Sequence, residues 1–564
     1  MAAAALCALP CVAQTAPPRP ADVRPGTLVP RVEELAPRER PVTDVRDLPP
    51  RPVPRELEKP QDELTLDVRG YVLSPNAPAD LVAALPQLLA PYVGSRRSYE
   101  DLVNAAADVT RYLQRESGFY LGFAYLPEQE PRDGIVRIEV LEGRLDRIEL
   151  QWPASLPVGR DQIEAYLAQL KPGEILHVRD IERVVFLIND LRGVTARFDV
   201  LQGSKPGYAS LLVTGVAESR WTGKVDGDIN GTRFLGKYRL GGLLVGNSLL
   251  GRGDALTLNA LASTTGGLVF GLVGYTLPLG SDGVKVGSSL SMVRYQLDER
   301  EFPLGVNGDA TTLNVYGLYP WVRSRNLNLF TVGAFDLKDN VDRQDVGGIA
   351  VRRQIKLATA GITGDLRDNL FGGAVSTFDA SLAAGNVAYQ TGRRDGLDDA
   401  SQFSKLNLGA NRLQNLVDGR LLLYAALRGQ LAMDNLDTIE QFRVGGPDGV
   451  RAFSPGEGTG DTGFVANLEL RILPPEAWLG RWSRETVLSL FVDYGEVRFR
   501  KDPSRQPASF VNAARYGGIG LALAWERPGD YALRMSLSSR VIGEPRADRQ
   551  QSDPLLYAQL SKLF

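Results

Sequence analysis

Cysteine, histidine and net charge are scarce in this 564-residue chain. Its only cysteines are Cys7 and Cys11 and its only histidine is His177, so a catalytic metal site or a Cys/His nucleophile pair is nearly excluded and no metal ligands are expected. The formal net charge of −3 gives no reason to propose a nucleic-acid partner. The chain is too long for one ordinary core, so two or more domains are expected.

Long apolar runs are also missing. No segment after the N-terminus approaches the ~18 uninterrupted apolar residues that a membrane helix needs. The strands of a membrane barrel give a weaker signal, because lipid-facing and water-facing residues alternate along them. The missing runs therefore argue against membrane helices and leave a membrane barrel open.

The first residues are small and apolar. Residues 1–13 have the texture of the hydrophobic and cleavage regions of a secretory signal without its basic n-region, and we predict a signal peptide over residues 1–16. Cleavage near residues 13–16 would remove both cysteines, which suits an exported protein. The alternative is the alanine-rich start of a cytosolic protein.

Residues 17–60 are rich in proline and charge, which is typical of a linker. One short helix is a candidate inside this linker, over residues 29–36. It has Pro30 in its first turn and Pro37 just past its end. Plain disorder is the alternative for these residues.

A mixed α/β pattern follows and occurs twice. We predict the order β-α-α-β-β in a first repeat over residues 61–146 and in a second over residues 147–216. The long helix of the first repeat, predicted over residues 98–117, begins with Ser98 and Asp101 at the spacing of a capping pair.

From residue 217 to residue 564, period-2 alternation replaces helical periodicity. Segments of roughly ten residues are separated by Gly, Asp, Asn and Pro turns, and the polar face carries full charges. A soluble β-sandwich would keep to about 100–250 residues. We therefore predict a transmembrane antiparallel β-barrel of about 16 strands, apolar toward lipid and polar toward a water-filled lumen.

One strand of this region holds an aspartate. Alternation puts Leu490 and Val492 on the lipid side and Asp493 in the lumen. A carboxylate there is costly unless it faces water or finds a cation. The loop over residues 433–461 contains six glycines and Arg451, and folding inward would let Arg451 reach Asp493. The alternative is an ordinary surface loop with an accidental arginine.

The same loop runs into a match to the dinucleotide pattern G-x-G-x-x-G, over residues 458–463. No helix follows it and no βαβ unit contains it, so the match is rejected and no cofactor is expected.

Two motifs and both repeats resemble the outer-membrane transporters of two-partner secretion, the haemolysin secretion/activation type (TpsB). The similarity covers nearly the whole chain. The lumen-loop motif of this family is similar to a stretch that includes Gly445, Gly446, Val450, Arg451 and Phe453. Its partner-strand motif is similar to Phe491, Asp493 and Gly495. The repeats resemble the two POTRA domains of the family, notably at residues 118–119, 126–129, 142–144 and 187–193. The chain departs from the pattern at Ala452, where glycine is usual, and at Arg192, where proline is common.

The resemblance implies a translocation pore and not an enzyme. POTRA domains in the periplasm would bind one large, unfolded exoprotein of the TpsA type. The cargo would then cross the lumen of a barrel in outer-membrane lipid. No cofactor or nucleic acid would take part, a monomer would suffice, and residues 29–36 would form a plug helix.

Three rivals stay open at this point. An insertase of the same superfamily folds other barrels into the outer membrane, but usually carries more than two POTRA domains. A passive porin has no need of two periplasmic α/β repeats, and a ligand-gated uptake barrel would carry a plug domain of well over ~100 residues in their place. A pore with two POTRA domains could also export unrelated cargo.

Overall fold

The computed structural model describes residues 65–131, 133–391, 401–417 and 419–564. The predicted signal peptide, the linker and the candidate plug helix at 29–36 lie outside these residues. In the described part of the chain, no helix is long and apolar enough to cross a membrane.

The first repeat packs two helices on a small sheet. Its elements in chain order are β1 (Thr65–Val68), β2 (Gly70–Leu73), α1 (Ala79–Leu88), β3 (Gly94–Ser98), α2 (Tyr99–Arg115), β4 (Phe123–Tyr125) and β5 (Ile135–Leu141). The sheet order is β2-β5-β4, and β1 pairs separately with β3. Ser98 and Asp101 form the expected capping box at the start of α2, and the apolar stripe of this helix fills the core.

The second repeat has the expected order β-α-α-β-β, whereas the first repeat adds the separate pair β1 and β3 to the same three-stranded sheet and two helices. Its elements are β6 (Arg144–Gln151), α3 (Arg160–Leu167), α4 (Val178–Asn189), β7 (Val194–Gln202) and β8 (Tyr208–Ala217), with sheet order β6-β8-β7. β6 begins at Arg144, three residues before the expected start of the repeat at 147, because Arg144 and Leu145 already pair with β8. His177 lies just before α4, and its ring packs edge-on against Phe119 of the first repeat.

Sixteen of the strands that follow form a closed antiparallel barrel. They are β9 (Trp221–Asp228), β10 (Arg239–Asn247), β11 (Ala255–Ser263), β12 (Leu268–Leu279), β13 (Val284–Gln296), β14 (Val306–Arg323), β15 (Leu327–Gln344), β16 (Ile349–Asp368), β17 (Ala374–Thr391), β18 (Gln402–Val417), β19 (Leu421–Ala432), β22 (Thr462–Ile472), β23 (Thr486–Arg498), β24 (Ala513–Glu526), β25 (Tyr531–Ile542) and β26 (Leu555–Leu563). The expected fold class, two α/β repeats followed by this barrel, is confirmed.

Two short strands, β20 (Phe442–Arg443) and β21 (Thr459–Gly460), lie in the long loop after β19, and a short α-helix, α5 (Glu476–Leu479), lies before β23. The barrel closes where β26 pairs with β9. Gly223 and the C-terminal Phe564 extend this seam by exchanging two backbone hydrogen bonds, of 2.9 and 3.0 Å. The connection from the repeats and the C-terminus therefore share one end of the barrel, called here the near end.

The second repeat docks on the near-end turns of the barrel through a buried ion pair. Arg323 of β14 donates from Nη2 and Nε to both oxygens of Asp190, over 2.7 and 2.9 Å. Its guanidinium also lies 4.9 Å from the ring centre of Phe186 on α4. Arg183 adds hydrogen bonds to the carbonyls of Pro320 and Asp282. These contacts fix the second repeat beneath one part of the barrel, near β12 to β15.

We expect Arg323→Ala to loosen this docking while the barrel still folds, because it leaves the Asp190 carboxylate without its cation. Breaking a buried pair from one side costs about 3–5 kcal/mol. Pulsed electron paramagnetic resonance between labels on α3 and β17 should give a broader distance distribution. The matched control is Arg179→Ala, because Arg179 is an exposed arginine of α4. An unchanged distribution for Arg323→Ala would show that other contacts suffice.

Candidate functional site

The connection between β19 and β22, residues 433–461, folds from the far end into the barrel lumen. Its short strands β20 and β21 pair with each other, and the tip between them turns inward. Val444, Val450 and Phe453 of this tip have no solvent exposure. The tip is therefore packed against the barrel wall and is not an exposed surface loop.

Alternation along β23 creates the place where the tip docks. Val492 is 55% exposed on the outer face, whereas Asp493 is 1% exposed on the inner face. On the neighbouring strand β22, Asn467 is opposite Asp493, and Glu469 is opposite Phe491. Two carboxylates, an amide and an aromatic ring thus line one patch of the lumen wall.

Arg451 at the loop tip joins this patch through several hydrogen bonds. Its Nε and Nη2 donate to the two oxygens of Asp493 over 2.9 and 2.8 Å, and its backbone N–H donates to the same carboxylate over 3.0 Å. Its Nη1 donates to Glu469 over 2.7 Å. The guanidinium carbon lies 3.4 Å from the ring centre of Phe491, a cation–π contact. The bidentate geometry needs the planar guanidinium of arginine.

Wall residues that the sequence motifs did not include complete the polar network. Asn467 donates to the Gly449 carbonyl over 2.9 Å and to Asp493 over 2.7 Å. Arg471 donates to the second oxygen of Glu469 over 2.9 Å. The buried carboxylates Asp493 and Glu469 are thus matched by two arginines. Their position on the polar face of the alternating strand 462–472 was the signal that could have indicated them.

Glycines of both motifs allow the close approach of loop and wall. A Cβ on Gly495 would lie 2.5 Å from Val444 Cγ1, and one on Gly445 would lie 2.5 Å from the Ser454 carbonyl oxygen. Gly446 has φ +122°, a backbone angle that residues with a side chain rarely adopt. A side chain at any of these positions would push the tip off the wall or strain its turn.

The departure from the family pattern at Ala452 has a counterpart on the wall. Ala452 does not adopt a positive φ, so its backbone does not need glycine. Its methyl group lies against β24, where a Cβ on Gly518 would be only 2.4 Å from the Ala452 Cβ. The extra methyl group of the loop is accommodated because the wall has no side chain at Gly518.

Apolar contacts seat the tip beside the ionic network. Phe453 and Tyr516 of β24 meet edge to face, with ring centres 4.8 Å apart. The buried cluster around them consists of Phe442, Val444, Val450, Ala452, Phe453, Val465, Val497 and Tyr516. The tip is therefore held by packing as well as by charge.

A second anchor at the root of the loop was not foreseen from the sequence. Glu440 is buried between Lys338 of β15 and Lys405 of β18, at 2.9 and 2.8 Å. Asp437 accepts a hydrogen bond from Tyr389 of β17 over 3.0 Å and pairs with Arg353 of β16. The root thus binds β15 to β18. The tip binds β22 to β24 and also accepts hydrogen bonds from Ser538 of β25 and Tyr557 of β26, each over 2.8 Å. The loop joins two separate parts of the wall through the lumen.

This arrangement of ionic and apolar contacts holds the loop in place against the barrel wall. Among residues 65–131, 133–391, 401–417 and 419–564, no group of three His, Cys, Asp or Glu side chains could hold a metal ion.

Comparisons with known proteins agree with this fold. Residues 66–143 match the POTRA domain, ShlB-type. The heme/hemopexin transporter protein HuxB of Haemophilus influenzae (strain 86-028NP) is 27% identical over 476 residues, which cover 83% of this chain and 82% of HuxB. The outer membrane transporter CdiB of Dickeya dadantii is 26% identical over 449 residues, which cover 78% and 77% of the two chains.

Solved structures show the same fold. CdiB from Escherichia coli superposes with a TM-score of 0.65 at 19% identity, covering 91% of this chain and 93% of CdiB. BamA from Haemophilus ducreyi, lacking POTRA domains 1–3, superposes with a TM-score of 0.54 at 13% identity, covering 89% and 100%.

Residues 207–520 match the family of the haemolysin secretion/activation protein ShlB/FhaC/HecB. That range is more than half of the chain. The chain therefore belongs to this family, as an outer-membrane transporter of two-partner secretion whose POTRA domains lie in the periplasm.

Proposed function

We propose that this transporter exports one large exoprotein of the TpsA type, which its POTRA domains bind while the exoprotein is unfolded. The observation that carries the proposal is the docked loop in the lumen, combined with a second POTRA domain fixed at the near end, which is the periplasmic end. Such a pore lets the cargo pass only where the loop and the POTRA domain leave room. Its far end opens at the cell surface.

POTRA strand edges are the proposed contact for the cargo. An extended segment can add to a sheet edge through backbone hydrogen bonds. On β7, the outward backbone groups of Ala196 already bond to the Asn189 side chain. By strand alternation, Phe198 and Val200 present their backbone groups on the same edge. We propose that the cargo pairs with this part of β7. On β4 of the first POTRA domain, Thr110 bonds to Ala124 in a similar way.

We further propose that folding of the cargo at the cell surface drives its export without a nucleotide or other cofactor. The transporter would act as a monomer and not as an enzyme. For the domain limits we propose a first POTRA domain over 61–143, a second over 144–217, where β8 ends, and a barrel over 218–564. The first boundary moves from 146 because β6 begins at Arg144.

Arg451→Ala should greatly reduce secretion of the cognate exoprotein while the barrel still inserts. The substitution leaves Asp493 and Glu469 without their main cation and removes the ionic part of the contact that holds the loop tip on the wall. Secretion is measured as exoprotein in the medium, and insertion as heat-modifiable migration of the barrel on gels. The control is Arg515→Ala, because Arg515 is an exposed arginine of β24 paired with Glu496. Normal secretion by Arg451→Ala would sink the role proposed for this residue.

A swap of one methyl group tests the seating of the tip without removing a charge. Gly518→Ala should lower secretion, because its Cβ would collide with Ala452. Adding Ala452→Gly to the same chain should restore secretion. The wall then carries a methyl group at residue 518 and the loop has none at residue 452, so the two no longer collide. Gly333→Ala is the control, since a Cβ there meets no atom within 4 Å. If the double variant stays as defective as Gly518→Ala, the contact does not explain the defect.

The insertase alternative predicts that the barrel seam must open sideways into the membrane. Val225 of β9 and Lys562 of β26 are directly paired at this seam. A disulfide between Val225→Cys and Lys562→Cys should leave export intact if the cargo crosses through the lumen. The measurement is secretion with the disulfide formed and after its reduction. Loss of secretion only in the oxidised chain would favour a lateral route.

A further inference from the structure

The loop over residues 543–554 joins β25 and β26 into a hairpin, and this hairpin binds the tip of the inward loop on the extracellular side of the barrel. Glu457, six residues beyond Arg451, is 1% exposed. Its carboxylate accepts hydrogen bonds from three consecutive backbone N–H groups, those of Arg546, Ala547 and Asp548, over 3.0, 2.7 and 2.7 Å. Three donors converging on one carboxylate are charge-assisted contacts, stronger than neutral ones.

Further contacts tie the same hairpin to the residues between Arg451 and Glu457. Gln551 donates to the Ala452 carbonyl over 2.7 Å and accepts from the Ser454 N–H over 2.6 Å. Tyr557 of β26 donates to the Phe453 carbonyl over 2.8 Å. The hairpin thus contacts backbone groups all along residues 452–454. The tip cannot leave the wall without breaking these bonds.

On its other side, the hairpin reaches two more extracellular loops. Asp548 pairs with Arg233 of the β9–β10 loop at 2.7 Å, and Arg233 also pairs with Glu301 of the β13–β14 loop at 2.8 Å. Ala547 packs against an apolar cluster in which the rings of Phe234 and Phe302 meet edge to face. Residues 546–548 therefore lie between the inward loop and loops on another part of the barrel mouth.

We propose that residues 546–548 are a latch that holds the extracellular mouth closed and that Glu457 links this latch to the inward loop. While the tip is docked through Arg451, Glu457 keeps the latch in place. When the tip moves, the carboxylate withdraws and leaves three N–H groups without acceptors. The latch is then held by the ion pair of Asp548 with Arg233, by the contact of the Arg546 guanidinium with the Phe499 ring at 5.0 Å and by the apolar contacts, without the three charge-assisted bonds to Glu457.

The chemistry of the latch suits a reversible device. In the closed state the Glu457 carboxylate is satisfied by backbone donors, and after withdrawal water can satisfy it instead. The three N–H groups of the latch can likewise bond to water once the hairpin lifts. Because both states satisfy their polar groups, opening need not carry a large penalty. A contact made only of buried apolar groups could not be exchanged for hydrogen bonds to water in this way.

Ion conductance tests the latch without any cargo, so its outcome is independent of the proposed export function. The purified full chain, reconstituted in planar lipid bilayers in potassium chloride, should conduct only part of the time. Glu457→Ala should raise the open fraction about tenfold, the scale expected for losing charge-assisted bonds of the closed state. The matched control is Glu544→Ala, which removes the same charge from an exposed position of the same hairpin. Equal open fractions for both variants would overturn the proposal.

A cross-link provides the converse test and guards against misfolding. Cys7 and Cys11 are the only native cysteines and can be replaced by serine. A chain with Glu457→Cys and Ala547→Cys, joined by a short thiol-specific cross-linker that reductant can cleave, should show almost no open events, and reduction should restore them. Heat-modifiable migration confirms that each variant is folded. A cross-linked, folded barrel that opens as often as its reduced form would contradict the latch.

Discussion

The ion pair between Arg451 and Asp493 is the interaction on which the position of the inward loop in the lumen depends. Removing an arginine and a carboxylate from water is expensive, and their attraction repays this only with good geometry and further hydrogen bonds. The site supplies both, through a bidentate contact, a backbone N–H donor and the Asn467 amide. Glu469 and Arg471 extend the network to two carboxylates and two guanidinium groups. Its formal charges therefore cancel, and loss of one member leaves the others uncompensated.

The position of this pair makes it more than a local contact. Its arginine belongs to a loop whose root is bound by Glu440 to β15 and β18, while its aspartate belongs to β23. One loop thereby connects parts of the wall that are not neighbours in the sheet. The same tip carries Glu457, which holds an extracellular hairpin. A displacement of Arg451 therefore changes contacts at the mouth of the barrel as well as in the lumen.

Local periodicity was enough to predict the repeats, the barrel and the face of Asp493. Both repeats have a helical stripe between short strands, and alternation along β23 separates Val492 from Asp493 without knowledge of any partner. The inward path of Arg451 was expected from loop length and glycine content. Periodicity did not indicate the partners of Glu440 or Glu457. Alternation identifies lumen-facing residues, but it does not say which of them meet across a closed cylinder of 16 strands. It also missed β2 and β3, each of at most five residues.

The combination of polar and apolar contacts at the tip explains how a pore can hold the inward loop in its lumen and still release it. The tip is held by a small apolar cluster and by many polar bonds, and its close fit requires missing side chains at Gly495 and Gly518. Polar groups in a lumen regain hydrogen bonds to water on leaving the wall, so the net free energy of docking is far smaller than the sum of the bonds. A loop tip of the same size that was held only by apolar contacts would lose them without compensation on leaving the wall, so it would be held much more firmly. Specific polar contacts thus define one docked position of the tip with a moderate free energy of docking. A moderate free energy lets the tip leave the wall and return repeatedly during export.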